Sequence, residues 1–153
     1  MMIIEKKLLE KGIALAEVKP PVYTYVPAKT VGNIVYVSGS DCRIDGKLLY
    51  EGKLGAELSV TQGAEAARQC MINILSVLKA HLGDLDRIKQ FVKILGFVNS
   101  APGFVEQPYV MNGASDLLVE IFGEKGKHAR SAIAANELPF NTPVEVEVIC
   151  EIE

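Results

Sequence analysis

Residues 144–152 read VEVEVICEI. Drawn out as an extended chain, this run puts Val144, Val146, Val148 and Cys150 on one side and Glu145, Glu147 and Glu151 on the other. A helix would scatter both sets around its circumference, so the run is a strand with one dry and one polar face. The dry face demands a covering layer. The polar face is left to water or to another copy of the chain, and self-association is the favoured reading. Upstream, the turn LPFNTP (138–143) separates this strand from RSAIAA (130–135), a second strand-like run built of small residues.

The rest of the chain can supply the layer. Ile4, Leu8 and Leu9 share a helical face that stops at Gly12, and the prolines of VKPPVY (18–23) make a connector. YTYVPAKT (23–30) reads as a strand kept to an edge by Pro27, and IVYVSGS (34–40) as a β-branched strand. Asp45-Gly46 marks a tight turn before a strand around Leu48 to Lys53. The clearest helix runs from Ser59 to Gly83. Ser59 and Gln62 stand at capping-box spacing, and Ala64, Ala67, Met71, Ile74, Leu78 and Leu82 form one stripe. Phe91, Val92, Ile94, Phe97 and Val98 favour a strand through the second half of RIKQFVKILGFVNS (87–100). Met111, Ala114, Leu118 and Ile121 or Phe122 line a second long helix ended by Gly123. The order α-β-β-β-α-β-α-β-β predicts an α+β fold, an antiparallel-rich mixed sheet with two helices on one face. The 153 residues are expected to form one domain, with a helix and connector over 1–22 and the body over 23–153.

A chain that is 49% hydrophobic and 23% charged can bury a core, and a net charge of −3 argues against the basic face that nucleic acid requires. Cys42, Cys70 and Cys150 stand far apart, which fits reduced thiols in the cytoplasm rather than a disulfide frame or zinc site. The charged start MMIIEKKLLEKGIAL does not suit a signal peptide, and no run approaches the ~20 apolar residues of a membrane span. Neither histidine stands at metal-ligand or triad spacing, and VGNIVYVSG has too few glycines for a phosphate loop.

Arg130 opens the small-residue strand, where a planar fork of donors has room to grip a carboxylate. The plainer reading is a surface arginine in an ion pair worth about 0–1 kcal/mol. Glu145 and Glu147 sit mid-strand, where glutamate is disfavoured. They read either as an exposed face or as a general base aimed by a rigid element. His81 at a helix end complements the helix dipole, and Asp84 and Asp86 read as a cap. His128, two residues before Arg130, is either exposed or part of a pocket.

Three stretches in order resemble the RidA/YjgF family, also labelled endoribonuclease L-PSP, in its longer members with an N-terminal extension. GNIVYVSG (32–39) is similar to the family's second strand and the turn after it. VKILGFVNS (92–100) is similar to the strand between its helices. ARSAIAANELPFNTPVEVEV (129–148) is similar to its A-R-S, L-P and alternating glutamate strand. The resemblance runs from about Tyr25 to the C-terminus.

It implies a chorismate-mutase-like α+β fold, a homotrimer, and sites in clefts between subunits. It implies a cofactor-free, metal-free deaminase of 2-imino and 2-enamino acids. Arg130 would bind the substrate carboxylate, and Glu145 would hold or activate water. Tyr25, with Tyr23 as second choice, would line the cleft, beside the backbone of Gly39 and the side chain of Asn112. A carboxylate partly buried between subunits is expected to titrate high. The implied partners are a small carboxylate-bearing ligand and further copies of the chain, with no membrane. Two positions depart from the family: Ser40 replaces the glutamine after Gly39, and Ala132 replaces a cysteine two residues past Arg130. The loop from Asp41 to Gly46 is also short. An acid-binding trimer without turnover needs only the Arg130 clamp, and a ribonuclease or a chaperone-like trimer are further alternatives.

Overall fold

The computed structural model describes residues 2–20 and 22–153, so Met1 and Pro21 of the connector lie outside the described residues. The elements in chain order are α1 (Ile3–Glu10), β1 (Ala28–Val31), β2 (Ile34–Ser40), β3 (Arg43–Ile44), β4 (Lys47–Leu48), α2 (Val60–Leu82), β5 (Ile88–Asn99), α3 (Gln107–Phe122), β6 (Ala129–Ala135) and β7 (Val144–Ile152). Five strands form one sheet in the order β1-β2-β7-β5-β6, with β3 and β4 as a separate hairpin. All neighbours run antiparallel except β5 and β6, which are parallel. The parallel pair needs a crossover, and α3 supplies it.

The last strand in sequence is the middle strand in space. Val144, Val146, Val148 and Cys150 are all buried, so the two-residue period of β7 does face a covering layer. That layer is α2 and α3, whose Met71, Ile74, Leu78, Met111, Ala114 and Leu118 are fully buried. Ser59 and Gln62 form the reciprocal capping box that starts α2. Gly113 of α3 lies directly against the Ala64 carbonyl, where any Cβ would overlap, so the two helices touch backbone to backbone. Phe91 meets Phe122 edge to face at 4.9 Å and ties β5 to α3. Among the described residues no helix is long and apolar enough to cross a membrane.

Four local expectations change. The first strand begins at Ala28, not at Tyr23, because its ladder starts where Ser38 N–H donates to the Pro27 carbonyl. Tyr23 and Tyr25 instead stack in a bend, ring centroids 6.0 Å apart. The strand expected over Leu48 to Lys53 stops at Leu48, since Gly52 adopts φ +127° and donates to the Asn141 carbonyl. β5 spans its whole run, its polar start at Lys89 and Gln90 lying exposed. The buried stripe of α2 includes Gly63, Ala66 and Cys70, while Ala64 is only half-buried.

The face of the sheet away from the helices is uncovered in a single chain. Leu95, Phe97 and Ile149 are half-buried there, and Tyr36 and Ile133 are exposed.

Candidate functional site

The register of β7 decides where its acids point. Glu145 pairs with Phe97 and Glu147 with Leu95, so both carboxylates stand on the uncovered face. The ladder between β2 and β7 shifts register between Val37 and Ser40. That irregularity brings Gly39 up against Glu145, where a Cβ would sit 2.9 Å from Oε2. We expect Gly39→Ala to fold, because the obstacle is the end of a flexible side chain. The displaced carboxylate should lower any Glu145-dependent rate by about ten- to a hundredfold. An unchanged rate with a normal melting curve would show that the carboxylate's position is irrelevant.

Glu145 faces a cleft of about 470 Å³ whose lining includes Tyr23, Tyr25, Gly39, Asp41, Asn73 and Phe140. Burial is the main cause that raises the Glu145 pKa, and the neighbouring charges of Asp41 and then Glu147 push it the same way. Asp41 accepts from Arg43 N at 3.2 Å and Arg43 Nε at 3.0 Å. Asn73 Nδ2 donates to the carbonyls of Asp41 and Arg43, both at 2.9 Å, which pins this loop to α2. The Arg43 guanidinium lies 5.0 Å from the centre of the Phe140 ring. Phe140 and Asn141 both have left-handed φ, +59° and +61°. Such residues persist only when the surroundings hold them. Here Gly52 N–H donates to the Asn141 carbonyl at 3.0 Å and Asn99 Nδ2 to its Oδ1 at 3.2 Å. Among the described residues the cleft lining contains two carboxylates and no lysine, arginine or histidine, with Asp41 paired to Arg43. Sequence reasoning missed Asp41, Asn73 and Phe140; the Pro-Phe-Asn-Thr-Pro turn signals a loop but not which way its aromatic ring points.

Arg130 is elsewhere. It pairs with Ile94, three residues from the partner of Glu145 on the same strand, and Ile94 is buried beneath the helices. An odd offset reverses the side, so Arg130 and Glu145 occupy opposite faces of one chain's sheet. The pair expected to share one site is thus not assembled within a single chain. Arg130 is half-buried on the edge strand and reaches the start of α3. Its Nη1 donates to Asn112 Oδ1 at 2.9 Å and to Ser115 Oγ at 3.1 Å, and Nη2 to the Pro108 carbonyl at 3.4 Å. The structure therefore brings Asn112 to Arg130, and Tyr25 and Gly39 to Glu145. Among the described residues Nε makes no hydrogen bond, so the Nε edge of the guanidinium is the one left to a carboxylate.

The remaining candidates are accounted for locally. His81 Nε2 lies 2.7 Å from Thr30 Oγ1. Glu5, Asp84 and Asp86 are the carboxylates that cluster among the described residues. Their hydrogen bonds are structural: Glu5 Oε1 meets Lys79 Nζ at 2.6 Å, Asp86 accepts from the amides of Ile3 and Ile4, and Asp84 from the amide of Asp86. The three thiols are buried, and burial pushes Cys150 up to about 12, so they are inert core groups.

Residues 5–152 match the model of the family described as "YjgF/chorismate_mutase-like, putative endoribonuclease". This chain is a YjgF-family protein. A Trypanosoma cruzi relative, Protein TCP17, is 44% identical over 150 residues, covering 97% of this chain and 94% of that one. The solved structure of Atu1372 from Agrobacterium tumefaciens, described as of unknown function, shares 43% identity at a TM-score of 0.90 over 98% of this chain and 92% of that one. A protein from Shewanella oneidensis, described as a putative endoribonuclease, superposes at a TM-score of 0.93 with 38% identity, covering 97% and 99%. The YjgF/chorismate-mutase-like fold accounts for the mixed sheet, the helical layer and the matched segments that suggested the family.

Proposed function

We propose that this YjgF-family chain is a deaminase of 2-imino and 2-enamino acids that works as a homotrimer, with each site closed by two chains. One observation carries the reading: the charges of a single chain are segregated. The Glu145 cleft is lined by Glu145 and by Asp41, which Arg43 already pairs, and among the described residues no cation lines it to receive a carboxylate substrate. Arg130 offers an open donor edge without a base beside it. Docking a second copy so that its Arg130 enters the Glu145 cleft supplies both. The apolar side chains of the uncovered sheet face give that contact a driving force.

In the joined site Arg130 binds the substrate carboxylate and fixes its orientation, while Glu145 takes a proton from water. The water oxygen bonds to C2 of the protonated imine, and the C=N π pair moves to nitrogen. The proton held by Glu145 passes to that nitrogen, a lone pair of the new hydroxyl forms the C=O bond as the C–N bond breaks, and the hydroxyl proton passes through Glu145 to the departing ammonia, which leaves as ammonium. The other product is a 2-keto acid. The joined site gains one guanidinium beside its acids, too few cations for the phosphates of a polyanion, which weighs against ribonuclease chemistry at this site.

Imino acids made in situ by an amino-acid oxidase provide the test. The protein should speed 2-keto acid appearance at least tenfold over buffer, and sedimentation equilibrium should return three chains. A monomer, or an unaltered hydrolysis rate, contradicts the proposal.

A further inference from the structure

His128 has no part in the chemistry above, yet its ring is fixed on both nitrogens. Nδ1 lies 2.6 Å from the Gly126 carbonyl, and Nε2 lies 2.9 Å from Ser115 Oγ. A carbonyl can only accept, so Nδ1 carries the proton. With the ring neutral, Nε2 presents a lone pair to which the Ser115 hydroxyl donates. With its proton committed, Ser115 Oγ turns a lone pair to Arg130 Nη1, 3.1 Å away. Gly126 packs closely against α3, where a Cβ would overlap the Leu118 carbonyl. The order of donation is thus Arg130 to Ser115, Ser115 to His128, and His128 to Gly126.

We propose that His128 and Ser115 are positioning residues for Arg130. Together they make a rotatable hydroxyl into a fixed acceptor, so that Asn112 and Ser115 hold Nη1 and the Nε–Nη2 edge points outward. This inference rests on the reading of Arg130 as a carboxylate clamp, and its test separates the two.

Full-length wild type, His128→Leu, His128→Gln and Ser115→Ala would be compared in two measurements. One is the order of the Arg130 Nε–H vector by 15N relaxation; the other is pyruvate affinity by calorimetry. His128→Leu should loosen Arg130 and weaken pyruvate about tenfold. His128→Gln, whose amide oxygen can accept from Ser115, should restore most of both. Ser115→Ala, a one-oxygen change that keeps the fold if the leucine variant does not, should match His128→Leu. Adding it to His128→Leu should worsen nothing further, since both act through one chain of bonds. An Arg130 as ordered in His128→Leu or Ser115→Ala as in wild type refutes the proposal, as does failure of the glutamine variant to restore it. If Arg130 loosens as expected but wild type binds no pyruvate, the clamp reading fails and the positioning role stands.

Discussion

Arg130→Ala should fold and assemble like the wild type, bind 2-keto acids about a hundredfold more weakly, and hydrolyse no imine above background. The folding expectation follows from place. Arg130 is half-buried on the edge strand β6, and it donates to Asn112, Ser115 and the Pro108 carbonyl. Those acceptors sit near the start of α3, where solvent can replace the lost donors, so the stability change should stay within about 1–2 kcal/mol. The binding expectation follows from charge. Losing a bidentate guanidinium opposite a carboxylate removes roughly 2–5 kcal/mol, and here it also strands the ligand among Glu145 and Asp41. Lysine at this position should recover part of the affinity, since it restores a point charge without the fork. Calorimetry with pyruvate, a thermal melt and the oxidase-coupled assay read all three. Wild-type affinity in the alanine variant would remove Arg130 from the site altogether.

How much of this was legible beforehand follows from which interactions are local. The alternation of β7, the capping box of Ser59 and Gln62 and the stop at Gly83 need only neighbouring residues, and all three are present. The side on which Arg130 lies is not local. It depends on pairing β6 to β5 at Ile94 rather than one residue away, and a one-residue slip would have put it on the same face of the sheet as Glu145. The same holds for the cleft. Asp41 acts on Glu145 across a register shift in β2, and Phe140 reaches the cleft because Asn99 and Gly52 hold the next residue left-handed. Tyr25 and Gly39 were found through resemblance and do line the Glu145 cleft. Tyr25 does so from a bend, because the ladder begins only after Pro27. Asn112 was placed by the same resemblance, and α3 delivers it to Arg130 rather than to Glu145.

Glu145→Gln should abolish imine hydrolysis, by about 10²–10⁴-fold, while leaving keto acid affinity equal or higher. Glutamine keeps the shape of the side chain and its contact with Gly39, but it cannot take a proton from water. Ligand binding should not suffer, because a negative charge facing the substrate carboxylate is lost and Arg130 is untouched. That split separates a deaminase from an acid-binding trimer, in which both measurements would stay put. The pH dependence sharpens it. In the single chain burial first, then Asp41 and Glu147, raise the Glu145 pKa; where these outweigh the guanidinium that docking brings in, the wild-type rate falls on acidification earlier than for an ordinary carboxylate. Asp41→Asn removes one of those causes and should shift the acid limb to lower pH. Stability runs in the opposite sense. A carboxyl whose folded pKa is raised binds its proton more tightly in the native state than in the unfolded chain. It therefore subtracts stability as pH rises from its unfolded value through its folded one. Above that window the glutamine variant should melt at the same temperature as wild type or higher, and below it the two should converge. A glutamine variant that is both active and less stable at neutral pH would mean that Glu145 is held by a partner in the assembled protein, and that the water is activated elsewhere.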